Sequence, residues 1–383
     1  MKNFVSKKYA MGHPTMMGDL GPRAAAFDDL INFSIGDPDL KTDDRIIEAA
    51  FKEAMAGNTH YTDTRGMPRL RQAIRDFYQE EFGFAVKDEE VTVTTSACQG
   101  MWAVMQAVLD EGDEVIVPEP YFSPYKDQIE MAGGVLVPLP TCEEENFEVN
   151  VHRIEPLITE KTKAILFNTP NNPTGCCFDR DALEVIADVA KRHDLLVIAD
   201  DIYTIFSYAG PFIPIGTLPG MAERTVTVRS FSKDYCMTGW RLGYVIAPPA
   251  IVEAINLVGE SNVYSAPSIS QSAGIAALAL RHEVQPAIIE EFRRRTMTAC
   301  EEIGKISYLS VLPPQGSIYL FVNIKRTGLT SKEFASQLLD RYHILVIPGN
   351  VFGESGEGYV RLALTLGEDK IRQAFDRLPR DQF

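Results

Sequence analysis

Between residues 91 and 247, short β-branched and apolar runs recur, separated by polar stretches of helical length. The runs are VTVTT (91–95), EVIVP (114–118), VLVPL (135–139), AILFN (164–168), LLVIAD (195–200), TVTVRS (225–230) and LGYVIA (242–247). The intervening stretches 97–110, 121–133 and 179–193 predict helices, the last with Asp179 as its N-cap. Such alternation predicts an α/β fold around a mostly parallel, seven-stranded sheet covered on both faces. The link between TVTVRS and LGYVIA is too short for a crossover helix, so one of these two strands is expected to run antiparallel.

Beyond about residue 270 the texture changes. A long helical stretch from Ile269 to Lys305, with its expected break at Pro286, leads into strand-like SIYLFVNI. A helix near 331–342 and the runs ILVIPG and YVRLAL follow, which predicts a smaller α+β domain. Residues 1–30 are punctuated by Met, Gly and Pro. They predict an arm lying on this domain or on a partner subunit, with a disordered terminus as the alternative. The expected division is 1–35 for the arm and part of the small domain, 36–270 for the large domain and 271–383 for the small one.

Composition narrows the function classes. The chain of 383 residues carries 37 basic and 53 acidic side chains, a net charge of −16. That balance argues against nucleic acid or an anionic membrane as the main partner, since both need a basic face. No apolar run reaches the roughly 18 residues of a membrane span, and the N-terminal lysines precede no continuous apolar stretch of the kind a secretory signal needs. The six cysteines form no C-x-x-C pair, so a reducing cytoplasm is expected rather than a disulfide framework. The six histidines show no H-x-x-x-H pattern, and no metal is expected.

Ligands of a parallel sheet sit beyond the carboxyl ends of its strands. After VTVTT comes SACQG (96–100), opening a helix; after AILFN comes TPNNPTG (169–175). LLVIA is followed by Asp200, Asp201 and Tyr203, and TVTVR by Ser230, Ser232 and Lys233. A helix start with small side chains offers free N–H groups to a phosphate, which Ser230, Ser232 and Arg241 can complete. A carboxylate at a buried strand end can keep a pyridine nitrogen protonated, and a lysine amine can form a Schiff base and then act as acid and base.

These pieces, in order, resemble the class I/II aminotransferases, enzymes of fold type I that use pyridoxal 5'-phosphate. The resemblance runs through GDPDL (36–40), HYTDTRGMPRLR (60–71), PEPYFSPY (118–125), NTPNNPTG (168–175), ADDIY (199–203), SFSKDYCMTGWRLGY (230–244), PQGSIYLF (314–321), IPGNVFG (347–353) and YVRLALT (359–365). It implies that Lys233 carries the cofactor and that Arg241, Ser230 and the backbone N–H groups of Ala97 and Cys98 hold the phosphate. Asp200 then pairs with the ring nitrogen, Asn172 and Tyr203 bond the ring oxygen, and Phe122 stacks on the ring. Arg361 clamps the substrate α-carboxylate beside Gly36. Tyr61 reaches the phosphate of a neighbouring subunit, which implies a homodimer with shared sites.

Strand alternation sends Asp200 and Asp201 to opposite faces, and the family pattern favours Asp200. By the same resemblance the expected reaction is ping-pong transfer from an α-amino acid (aspartate, aromatic or broad range) to a 2-oxo acid such as 2-oxoglutarate. A carbon–sulfur β-lyase on the same cofactor and a cofactor-binding regulator are the alternatives. Two positions depart from the family pattern: Cys236, where a glycine or other small residue is usual, and SACQG, which lacks the usual glycine pair.

Overall fold

A computed structural model describes residues 4–6 and 18–383. The rest of the expected arm lies outside the described residues. In chain order the strands are β1 (Ile31–Asn32), β2 (Val91–Thr94), β3 (Glu114–Glu119), β4 (Val135–Pro140), β5 (Thr162–Asn168), β6 (Leu196–Asp200), β7 (Thr225–Ser230), β8 (Gly243–Ile246), β9 (Tyr319–Asn323), β10 (Ile344–Leu345), β11 (Ile347–Pro348) and β12 (Tyr359–Ala363). The helices are α1 (Leu20–Ala24), α2 (Asp44–Met55), α3 (Pro68–Phe82), α4 (Ala97–Val108), α5 (Pro124–Met131), α6 (Val151–Ile154), α7 (Arg180–Arg192), α8 (Pro249–Glu260), α9 (Ser268–Ala279), α10 (Arg281–Ile303), α11 (Ser331–Tyr342) and α12 (Glu368–Asp376).

All seven predicted strands join one sheet in the order β2-β8-β7-β6-β5-β3-β4. Its ladders are parallel except those of β8, which runs antiparallel to both β2 and β7. The period-2 alternation of each strand feeds two cores. Val115 and Val117 pack with Met101 and Val104 of α4 and Val252 of α8. Ile116 between them packs with Leu183 and Ile186 of α7. Each such side chain taken from water contributes about 1.5–3 kcal/mol. Asp179 caps α7 as expected, accepting from Ala182 N.

A three-stranded antiparallel sheet, β11-β12-β9, and the short parallel pair β1-β10 carry the second layer. Ile31 and Phe33 share a buried cluster with Val322, Leu338, Leu362 and Phe375, and α1 packs into it through Leu20 and Ala24. Helix α11 begins where a capping box forces it: Thr330 accepts from Glu333 N, and Glu333 accepts from Thr330 N.

One expectation is corrected. The long helical stretch breaks at Leu280, and Pro286 stays inside α10. Arg281 explains the place of the bend. Its guanidinium pairs with Glu80 and Glu81 of α3 and donates to Leu278 O at 2.9 Å, which fixes the first turn of α10 against another helix.

Candidate active site

The cleft begins with a close approach. Gly243 of β8 lies under the start of α4, where a Cβ would stand 2.6 Å from Ala97 N and 2.7 Å from Arg229 O. Only a residue without a side chain lets the helix N-terminus come down onto the strand. Ser96 caps that helix, its hydroxyl accepting from Gln99 N at 3.3 Å. The helical ladder has no acceptor for the N–H groups of Ala97 and Cys98, which leaves them to an anion.

Around this helix end a cleft of about 560 Å³ is lined by Gly36, Ala97, Cys98, Phe122, Asp200, Tyr203, Ser230, Lys233, Arg241 and Arg361, among others. Asp200 ends β6 and Ser230 ends β7, while Lys233 follows in the turn after β7. Two expected residues are not among those that line the cleft. Asn172 is buried directly beside it, where its Oδ1 accepts from the lining residue Arg361 at 3.2 Å. Tyr61 is 85% exposed and lines a separate hollow with His60 and Ser265.

The two neighbouring aspartates part as alternation requires. Asp200 faces the cleft, and Asp201 does not line it. Asp200 Oδ2 accepts from Tyr125 OH, while Oδ1 is buried without a hydrogen-bond partner. Burial pushes the Asp200 carboxyl up to about 7, against the pull of the Tyr125 hydrogen bond. An orphaned, buried carboxylate oxygen is costly unless a proton donor arrives from the cleft.

Arg361 is buried on β12. Its NH2 donates to Ser34 O, its Nε has no partner, and its guanidinium lies 4.5 Å from the centre of the Tyr319 ring. Its hydrogen-bond partners are an amide oxygen and a backbone carbonyl, neither of them charged. Burial lowers its affinity for the proton, and the neighbouring phenols Tyr319 and Tyr203 raise it. Lys233 Nζ donates to Gly36 O, which brings the amine to the same wall.

These groups fit pyridoxal 5'-phosphate. The open helix start with Ser230 and Arg241 suits a phosphate, the orphaned Asp200 oxygen suits a ring N–H, and Phe122 offers an aromatic face.

Three residues were missed in the sequence reading of the site. Tyr125 donates to Asp200; Tyr319 OH lies 3.0 Å from Tyr203 OH; Ser34 O accepts from Arg361. Tyr319 also fills the notch at Gly36, where any Cβ would overlap its hydroxyl. Both tyrosines fall inside quoted motifs. The role of Tyr319 depends on register: Arg361 pairs with Phe321 and Ala363 with Tyr319, which puts Tyr319 and Arg361 on one face of the small sheet.

Cys236 now has a conformational explanation. Its φ of 52° is left-handed, a region that favours glycine, and its carbonyl is held by Thr42 Oγ1 at 2.7 Å.

The chain is similar to known proteins along nearly its whole length. The chain is 37% identical over 351 residues to the arginine–pyruvate transaminase of Pseudomonas aeruginosa, covering 92% of this chain and 89% of that one. It is 38% identical to an aspartate aminotransferase of Pyrococcus abyssi, covering 98% and 97% of the two chains. The solved structure of an aromatic aminotransferase from Pyrococcus horikoshii superposes with a TM-score of 0.89 at 36% identity, covering 94% of this chain and 97% of that one. Residues 28–378 match the family described as aminotransferase class I and II. The chain belongs to that family, the pyridoxal 5'-phosphate-dependent transaminases of amino acids.

Proposed function

We propose that this transaminase takes an amino donor with an uncharged, largely apolar side chain. The observation that carries the reading is the inventory of cations in the cleft. Among the described lining residues that one subunit contributes these are Lys233, Arg241 and Arg361, and each has a task that a distal carboxylate cannot share. Ile35, Met101, Phe122, Tyr319 and Ile347 supply the apolar part of the wall.

Pyridoxal 5'-phosphate, when bound, supplies an electrophilic carbon and a ring that spreads the charge left by a departing α-proton. The chain does the rest. Ala97, Cys98, Ser230 and Arg241 hold the phosphate, and Asp200 keeps a proton on the ring nitrogen. Asn172 and Tyr203 bond the ring oxygen, and Phe122 covers one face. Arg361 grips the substrate α-carboxylate as a fork beside Gly36, which presents the Cα–H bond to the amine. Lys233 Nζ takes that proton and delivers it to the neighbouring carbon. A second substrate, a 2-oxo acid, runs the same steps in reverse in a ping-pong cycle.

We assign the working unit as a homodimer with shared sites. Met55, Tyr61, Leu257 and Tyr264 are exposed apolar side chains, and Tyr61 meets Tyr264 edge to face at 5.0 Å. A surface of this kind suits a second copy of the chain. We take residues 36–270 as the cofactor-binding domain and 271–383, with 1–35, as a smaller domain that closes over the substrate. The six free cysteines are in keeping with a cytoplasmic enzyme.

The test is a series of single-turnover half-reactions with a panel of amino acids, following the cofactor's visible band. Phenylalanine, tyrosine and leucine are expected to react faster than aspartate and glutamate. An aspartate preference would overturn the donor assignment.

A further inference from the structure

Behind the cleft, on the hidden side of the large sheet, Arg229 and Asp234 form an ion pair of 2.9 Å whose side chains are 3% and 1% exposed. Thr204 Oγ1 reaches the same carboxylate oxygen at 3.5 Å. Asp201, also buried, adds a second carboxylate near the guanidinium. The Phe77 ring lies 5.3 Å from Arg229, with Tyr78 and Tyr244 close by.

The four polar members, Asp201, Thr204, Arg229 and Asp234, are each the chain neighbour of a residue that lines the cleft. Asp201 follows Asp200, Thr204 follows Tyr203, Arg229 precedes Ser230 and Asp234 follows Lys233. At the strand ends, Asp200–Asp201 and Arg229–Ser230, adjacent residues face opposite ways. In the turns, at Tyr203–Thr204 and Lys233–Asp234, a tie on one residue restrains the backbone that carries its neighbour. Asp234 belongs to the turn after β7, Arg229 to β7 itself and Thr204 to the turn after β6. The pair therefore ties the end of β7 to the turn that follows it, and Thr204 joins both to the turn after β6 at the depth of the cofactor site.

Stability alone does not call for such a pair. Apolar residues of similar volume generally replace a buried ion pair without loss. Nor is the pair well satisfied: Arg229 Nε and NH1 and Asp234 Oδ1 have no hydrogen-bond partner.

We infer that the Arg229–Asp234 ion pair is a positioning device that holds the Lys233 turn, and with it the lysine amine, in register with Asp200 and Tyr203. The inference rests on Lys233 being the cofactor lysine. Neither residue lines the cleft, and both act through their neighbours.

The test uses the holoenzyme and two variants. Asp234→Asn keeps the shape and removes the charge. Because a half-broken buried pair can prevent folding, Arg229→Met/Asp234→Leu removes both charges together and is expected to fold with a melting temperature near that of the wild type. In the double variant kcat is expected to fall about tenfold or more while KM moves less than about threefold. The visible circular dichroism per bound cofactor is expected to change, since it reports how the site orients the chromophore. A double variant that folds, keeps kcat within about twofold and leaves the dichroism unaltered would reduce the pair to packing and overturn the inference. Wild-type protein that bound no cofactor through Lys233 would instead sink the site assignment itself, so the two failures are distinguishable.

Discussion

Arg361 NH1 donates to Asn172 Oδ1 at 3.2 Å, joining β12 of the small sheet to the turn that follows β5 of the large one. The guanidinium is thus held by neutral oxygens, with its charge left for an anion. A lysine at this place keeps the charge and loses the fork. Arg361→Lys is expected to lower kcat/KM for amino acids by roughly 100-fold, mostly through KM, with little change in melting temperature. Steady-state kinetics at varied donor concentration checks this. An unchanged KM would move the carboxylate site elsewhere.

Tyr125 is the second test. Its hydroxyl donates to Asp200, and a hydrogen bond to a charged group contributes about 1.5–3 kcal/mol. Tyr125→Phe is expected to weaken cofactor retention by roughly tenfold or more, measured as the rate of loss on dialysis or against a competing aldehyde trap. Retention equal to the wild type would mean that Asp200 needs no partner on that side.

The acidic groups predict a pH dependence whose sign follows from their environment. Burial pushes the carboxyls of Asp200, Asp201 and Asp234 up to about 7, 7 and 6, with Arg229 pulling the latter two back. A carboxyl with a raised folded pKa stabilises the fold when protonated. Its contribution is complete below the ordinary value of 3.8 and is lost as pH climbs through the folded value. Cofactor-free protein should therefore melt at lower temperature as pH rises from about 5 to 8. Asp200→Asn should make that decline shallower. Parallel slopes for the two proteins would show that Asp200 is not held neutral in the free site.

Much of the large sheet was legible because buried parallel strands read as apolar runs, and all seven runs became strands of one sheet. Loop length alone predicts that one of β7 and β8 runs antiparallel, and the ladders show that it is β8. The helix break was misread because local pattern points to Pro286, whereas Arg281 is fixed by Glu80 and Glu81, residues of a distant helix. The strand-end residues Asp200, Ser230 and Lys233 could be placed from topology. Tyr125 and Tyr319 could not, since their partners Asp200 and Tyr203 lie far along the chain and meet them only through tertiary packing. The strain at Cys236 was equally hidden, because a positive φ leaves no mark when the residue is not glycine.

Tyr61 offers a test of shared sites that needs no structure. Tyr61→Ala and Lys233→Ala homodimers are each expected to be impaired, the second almost completely. Mixed dimers place one intact lysine opposite one intact tyrosine, so mixing and re-equilibrating the two variants should restore activity toward half of the wild-type level per mixed dimer. No recovery, with exchange verified by mass, would confine Tyr61 to its own subunit.

The central claim is amino transfer through the Lys233 site, and a half-reaction without acceptor tests it most directly. Holoenzyme mixed with an amino donor alone should release one equivalent of the matching 2-oxo acid per bound cofactor and stop, with the visible band lost until a 2-oxo acid is added. Continuous release of ammonia and pyruvate from cysteine, with no acceptor present, would contradict it.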